Sequence, residues 1–269
     1  MTSVAGLPAS VRVEVDGEVL VVLVDRPHKR NAIDDETILG LERVFLDPPD
    51  GVRAAVLAGV GDHFCAGLDL SSLGETSVIE GVHHSRMWHR VTQAIQLGRL
   101  PVVSVLKGAV IGGGLELASA THLRVAEPSA FYALPEGQRG IFVGGGASVR
   151  LPRLIGVARM TDLMLTGRVY DAAEGHAAGL TQYLVAEGEG MTTGLELARR
   201  AASVAPVTLF AVLQALPRIA DAGPQEGYLL ESLMAAVAQG SDEAKERMQA
   251  FLAGRAAKVT DTPAVGGAR

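Results

Sequence analysis

The sequence predicts an α/β chain whose first two thirds repeat a strand, strand and helix rhythm and whose last third is mainly helical. Three observations predict it. Short runs of Val, Ile and Ala bounded by glycine turns recur as far as about Gly146. Windows with helical spacing lie between them. After Met191 the strand signal gives way to four amphipathic windows, Met191–Val204, Pro206–Ile219, Pro224–Gln239 and Asp242–Ala253. The organisation expected is a flexible N-terminus over 1–10, a core over 11–195, a helical region over 196–258 and a flexible tail over 259–269.

Each element has its own warrant. In "VRVEVDGEVLVVLVDRP" valines alternate with polar residues through Val15, Asp16-Gly17 supplies a turn, and Val19 to Val24 form a buried strand, so the segment predicts a hairpin. "DDETILGLERVFLDPP" predicts a helix with Asp34 as N-cap and Pro48 as stop. "RAAVLAG" predicts a short buried strand, and a helix comes next over about Gly81 to Leu97. Pro101 precedes the strand "VVSVLKG". Gly112 to Gly114 make a tight turn into the helix opening with "LELASAT". "LRVAE", "AFYALPE" and the late "QYLV" predict further strands, with "ASVRLPRLIG", "ARMTDLMLTG" and "DAAEGHAAG" as helical pieces.

Composition bounds the function. Hydrophobic residues are 48% and charged residues 20%, the proportions of a globular protein. The net charge of −6 and the lack of any basic run beyond "HKR" argue against a nucleic-acid partner. No window of about 18 uninterrupted apolar residues predicts a membrane span. The N-terminus lacks the basic and apolar regions of a signal peptide. Cys65 is the lone cysteine, which fits a reducing compartment, so a cytoplasmic setting is expected.

Chemistry is suggested first by Glu116, a carboxylate in the apolar stretch from Val102 to Ala118 and directly behind three glycines. Desolvating it there is costly. "VIGGGLELA" resembles a dinucleotide fingerprint only superficially, because the third glycine position holds Leu117. A glycine turn at a helix start instead points unpartnered amides at a site for developing negative charge. Alone, Glu116 could equally complement the helix N-terminus at the surface. A second turn, "DHFCAGLDL", comes after another buried strand and can present a second amide. A second carboxylate, Glu136, stands after Pro135 and precedes further glycines. Two carboxyl groups facing one pocket can divide acid and base roles. A pair in one pocket should leave at least one carboxyl with a raised pKa.

"RPHKRNAID", "HFCAGLDL", "KGAVIGGGLELA", "PEGQRGIFVGGGASVRLPRLIG" and "SDEAKERMQAFLAGR" resemble, in order and spacing, the motifs of the crotonase superfamily, which includes the enoyl-CoA hydratases and isomerases. The resemblance covers roughly residues 11 to 257. It implies an α/β spiral of repeated ββα units, a C-terminal helical region that forms homotrimers or homohexamers, and an acyl-CoA substrate. By position, the backbone amides of Leu68 and Gly113 would form an oxyanion hole, Glu116 and Glu136 would be the catalytic pair, and Gly144 would orient the second glutamate's region. Lysines that family members often carry around the "AG" turn are Asp62 and Ser71 here. Coenzyme A is therefore assigned to Lys29, Arg30, Ala66, Asp69, Arg255 and Lys258, with the last of these supplied by a neighbouring subunit. Met87, Trp88 and Phe142 are assigned to the acyl pocket. Val143 replaces a common proline, and Gly137-Gln138-Arg139 an often aliphatic stretch.

The implied activity is reversible addition of water to a trans-2-enoyl-CoA, with no cofactor beyond the coenzyme A of the substrate. Isomerisation, thioester hydrolysis and decarboxylation use the same hole, and a non-catalytic acyl-CoA binder is a rival of another class. His83, His84 and His89 lack the spacing of a helical metal site, so no metal is expected. Cys65 is expected to be buried filler, and Arg150, Arg153 and Arg159 to be solvated helix faces or subunit contacts.

Overall fold

The computed structural model describes residues 6–72 and 77–255. The expected flexible tail and residues 1–5 of the expected flexible N-terminus lie outside the described residues. Gly6 and Pro8 are held: the Gly6 carbonyl accepts from Arg43, and the Pro8 carbonyl from the Val11 amide.

Strand β1 (Val11–Asp16) pairs antiparallel with β2 (Val19–Val24), in register Asp16↔Val19. The turn is therefore Gly17-Glu18, one residue later than the sequence suggests, with Gly17 at φ 61°. Helix α1 (Asp35–Leu46) starts where expected, because the Asp34 carboxylate accepts from the Thr37 amide. β3 (Ala54–Gly59) is buried along its length and lies parallel to β2. α2 (Val78–Gln96) opens on a capping box between Ser77 and Glu80.

The next stretch explains the spiral. β4 (Val102–Leu106) joins the first sheet, but β5 (Ala109–Ile111) turns away into a second sheet before α3 (Gly113–Ala120) begins. β6 (Leu123–Ala126) returns to the first sheet, and β7 (Phe131–Ala133) pairs parallel with β5 in the second. A bridge between Cys65 and Val110 marks the same step one turn earlier, between β3 and α2. The β4-β5 and β6-β7 turns thus each contribute one strand to either sheet before a helix, whereas β1 and β2, which open the ββα repeat, both lie in the first sheet. In the sequence β4 and β5 read as one run, because only Lys107-Gly108 interrupts the apolar residues between them.

The chain continues through α4 (Ala147–Ile155), α5 (Val157–Thr166), β8 (Val169–Asp171), α6 (Ala172–Ala178) and β9 (Tyr183–Leu184). The first sheet runs in the order β1-β2-β3-β4-β6-β9, and the second β5-β7-β8. α7 (Gly190–Ala202) packs on β3 and β4. The first compact unit accordingly extends through Ala202, so a boundary at 195 would cut α7.

The second unit begins at Ser203. It contains α8 (Pro206–Phe210), a π-helical turn over Ala211–Ala215, α9 (Leu216–Asp221), α10 (Pro224–Gly240) and α11 (Asp242–Leu252). Pro217 at the start of α9 has no N–H to donate, and the wide turn before it absorbs the break. Among the described residues no single helix is long and apolar enough to cross a membrane.

Candidate active site

The two glycine turns meet. Gly112, at φ 52°, ends β5 and leads into α3, whose first amides have no intrahelical acceptor. The other turn is pinned from both sides: the Cys65 amide donates to the Ala109 carbonyl, the Ile111 amide to the Cys65 carbonyl, and the Ile33 amide to the Gly67 carbonyl. Gly67 takes φ 98°. The approach is close enough that a Cβ on Gly67 would lie 3.3 Å from the Gly113 nitrogen, and one on Gly113 would lie 3.3 Å from the Leu68 nitrogen. Among the described residues neither the Leu68 nor the Gly113 amide donates to a protein acceptor. Both residues line a cavity of about 400 Å³. Two unspent donors side by side in a largely apolar cavity are suited to an oxygen that gains negative charge.

Two carboxyl groups line the same cavity. Glu116, on the first turn of α3, is 5% exposed, and its Oε1 accepts from the Gly145 amide at 2.8 Å and the Ala147 amide at 3.1 Å. Glu136, just after β7, is 8% exposed, and among the described residues its Oε2 has no hydrogen-bond partner. Burial raises the Glu136 pKa, and the nearby charge of Glu116 raises it further against the opposing pull of Arg139. Gly112 makes room for this group, since a Cβ there would lie 2.5 Å from Glu136 Oε1. One carboxyl is thus fixed by main-chain donors and the other is poised to hold a proton.

Residues 14–262 match the family described as enoyl-CoA hydratase/isomerase. The chain belongs to the enoyl-CoA hydratase/isomerase family. Among its relatives, the enoyl-CoA hydratase EchA19 of Mycobacterium tuberculosis is 32% identical over 251 residues, covering 91% of this chain and 94% of the relative. The short-chain-enoyl-CoA hydratase of Clostridium acetobutylicum is 30% identical over 246 residues, covering 90% and 94%. The crystal structure of a candidate enoyl-CoA hydratase from Rhodopseudomonas palustris CGA009 superposes with TM-score 0.91 at 58% identity, covering 95% of this chain and 98% of that one.

Within this enoyl-CoA hydratase/isomerase fold, several assignments from the sequence need correction. Trp88 and Phe142 line the cavity, but Met87 does not; it packs against the core. The cavity face of α2 is Gly81, His84, Ser85 and Trp88, an i, i+3, i+4, i+7 stripe that leaves Met87 about 100° away. Gly144 lines the cavity, yet its carbonyl accepts from Ser85 Oγ at 2.6 Å, and the amides that orient a carboxylate belong to Gly145 and Ala147 and act on Glu116. His84 Nε2 lies 2.9 Å from Asp35 Oδ1.

The coenzyme A set also divides. Ala66 lines the cavity. Asp69 does not: it is buried in an ionic knot with Lys29 Nζ at 2.7 Å and Arg26 Nη2 at 2.9 Å, while Arg26 also reaches Asp34 at 3.0 Å. The Lys29 ammonium, then Ser71 and Arg26, hold the Asp69 carboxyl far below the usual carboxylate range. Lys29 is therefore committed to Asp69 and Ser71, and a phosphate would have to compete for it. Arg30 is exposed at φ 52° and lies outside the cavity lining. Arg255 belongs to the second unit, and Lys258 lies outside the described residues.

Cys65 is fully buried, with its thiol pKa pushed up to about 12 by burial, so it is inert filler. Arg150 is not a solvated helix residue: it is 7% exposed and sits behind Glu116. Gly145, Ala147 and Arg150 are what sequence reasoning missed. The "GGGAS" run signalled the first two; nothing in the spacing signalled the third.

Proposed function

We propose that the protein is an enoyl-CoA hydratase, adding water reversibly and syn to a trans-2-enoyl-CoA. The observation that carries this reading is a pair of carboxyl groups in unlike environments beside two unspent amides in one cavity. The thioester oxygen would accept from the Leu68 and Gly113 amides. A water between the carboxyl groups loses a proton to Glu116 as its oxygen bonds to Cβ. The electron pair of the double bond moves towards the thioester, giving an enolate held by the two amides. Glu136, whose raised pKa favours the protonated form, delivers a proton to Cα on the same face. Dehydration is the reverse. Two carboxyls favour hydration over double-bond isomerisation, for which one suffices.

Each Glu116→Gln and Glu136→Gln variant tests this with crotonyl-CoA. Loss of enoyl absorbance with appearance of 3-hydroxybutyryl-CoA is expected of the wild type. Both variants should bind ligand and keep only a small residual turnover. Free thiol without hydroxyacyl product would indicate a hydrolase, and binding without turnover in the wild type would indicate a non-catalytic binder.

Ala66 remains assigned to the coenzyme A path. Arg255 is assigned to its phosphates, with Lys258 supplied by a neighbouring subunit of a homotrimer or homohexamer. Exposed apolar residues on α10, including Tyr228, Leu229, Leu233 and Val237, support such an assembly. A cytoplasmic setting fits the lone buried thiol. The net negative charge argues against nucleic acid as a partner.

A further inference from the structure

Arg150 is buried beside the cavity, and the hydration chemistry does not use it. Among the described residues no carboxylate forms an ion pair with its guanidinium; four neutral oxygens satisfy it instead. Nε donates to Ser119 Oγ at 3.0 Å, Nη1 to Thr92 Oγ1 at 3.3 Å, and Nη2 to the carbonyls of Glu116 at 3.1 Å and Gly145 at 2.7 Å. Thr92 Oγ1 also donates to the Gly145 carbonyl, and Ser119 Oγ to the Glu116 carbonyl. Its one facing carboxylate, Glu116, acts on it by charge without a direct ion pair, and a buried charge held this way is a poor device for stability, where an apolar side chain of similar volume serves as well or better.

What the guanidinium achieves is geometric. It holds the carbonyl side of Glu116 and Gly145 with a single nitrogen, while the amide of Gly145 reaches the Glu116 carboxylate from the other side. Gly146 adopts φ 99° between them, and a Cβ there would lie 2.6 Å from Arg150 Nη1. The three elements that must stay in register are α2 through Thr92, α3 through Ser119, and the glycine loop.

We propose that Arg150 is a positioning residue for hydration, clamping the glycine loop onto α3 so that the Gly145 and Ala147 amides remain on Glu116 Oε1. The inference rests on the hydratase reading for its kinetic consequence but not for its geometry. Arg150→Gln should lower kcat by about 10–100-fold, the scale of a misplacement near 1 Å. KM should stay within about threefold, because the Leu68 and Gly113 amides are untouched. Arg150→Lys should recover part of the loss, since a single ammonium can reach the two carbonyls but lacks the further nitrogens that hold Ser119 and Thr92.

The decisive experiment combines a double-mutant cycle with amide hydrogen exchange. In the Glu116→Gln background Arg150→Gln should cause little further loss, because both act through one carboxylate. In Arg150→Gln, exchange at Gly145 and Ala147 should rise at least about tenfold while Val56 and Leu57 in β3 keep their rates. A full additional loss in the Glu116→Gln background, or a change in KM alone, would overturn the proposal. So would unchanged exchange at Gly145 and Ala147, or an equal rise at β3, which reports global loosening. If Arg150→Gln does not fold, Thr92→Val removes one shared hydroxyl and is judged by the same criteria. If the wild type proves to lack hydratase turnover, the function is rejected, and the exchange measurement alone still decides whether Arg150 holds those amides.

Discussion

At Glu136 two effects favour the neutral acid: burial, then the charge of Glu116. Its folded pKa lies above the ordinary value of 4.5, so the folded protein binds this proton more tightly than the unfolded chain does. The stabilising contribution is complete below about pH 4.5 and is lost as pH rises through the raised value. Glu136→Gln should therefore gain stability over the wild type as pH rises above the ordinary value of 4.5 and through the raised one, read as a rising difference in urea midpoint. The same substitution should lower kcat by about 10²–10⁴-fold, the range of a lost general acid. Both carboxylates were legible in the sequence, one from its apolar surroundings and the other from its glycine-flanked place after a strand. Arg150 was not: an arginine on an amphipathic helix looks solvated until the tertiary structure turns that face inward.

At the scale of elements, close backbone approach is what assembles the site. A Cβ on Gly114 would lie 2.2 Å from the Cys65 carbonyl oxygen, and the glycine is not at positive φ, so the conflict is one of space alone. Gly114→Ala should destabilise the fold by about 1–3 kcal/mol through overpacking, measured by denaturant unfolding. Gly112→Ala meets Glu136 Oε1 and also carries the strain of φ 52°. It should lower kcat more than KM, which steady-state kinetics checks. Long strands and capped helices could be read locally. The three-residue β5 and β8 could not, because their pairing partners lie many residues away in sequence: β7 for both, and Cys65 as well for β5. The register of α2 was also out of reach: neighbouring Met87 and Trp88 are both apolar, and only packing decides which one faces the cavity.

For the whole molecule, the spiral places successive glycine turns side by side, so residues from 66 to 145 share one cavity. The fold class was legible because five motifs in order resemble one family over most of the chain. The grip on coenzyme A was not, because Lys29 is tied to Asp69 in a way that its position beside Arg30 does not reveal. The exposed apolar face of α10 carries the proposal of assembly. Light scattering should report a trimer or hexamer for the wild type, and a shift to smaller species for Leu229→Asp combined with Leu233→Asp.

The most direct test of the central claim is a crystal structure of the Glu136→Gln variant bound to crotonyl-CoA. The thioester oxygen should lie within about 3.2 Å of both the Leu68 and Gly113 nitrogens, with Cα and Cβ between residues 116 and 136. A thioester seated elsewhere, with those two amides facing solvent or protein oxygens, would contradict the oxyanion hole and the hydration chemistry built on it.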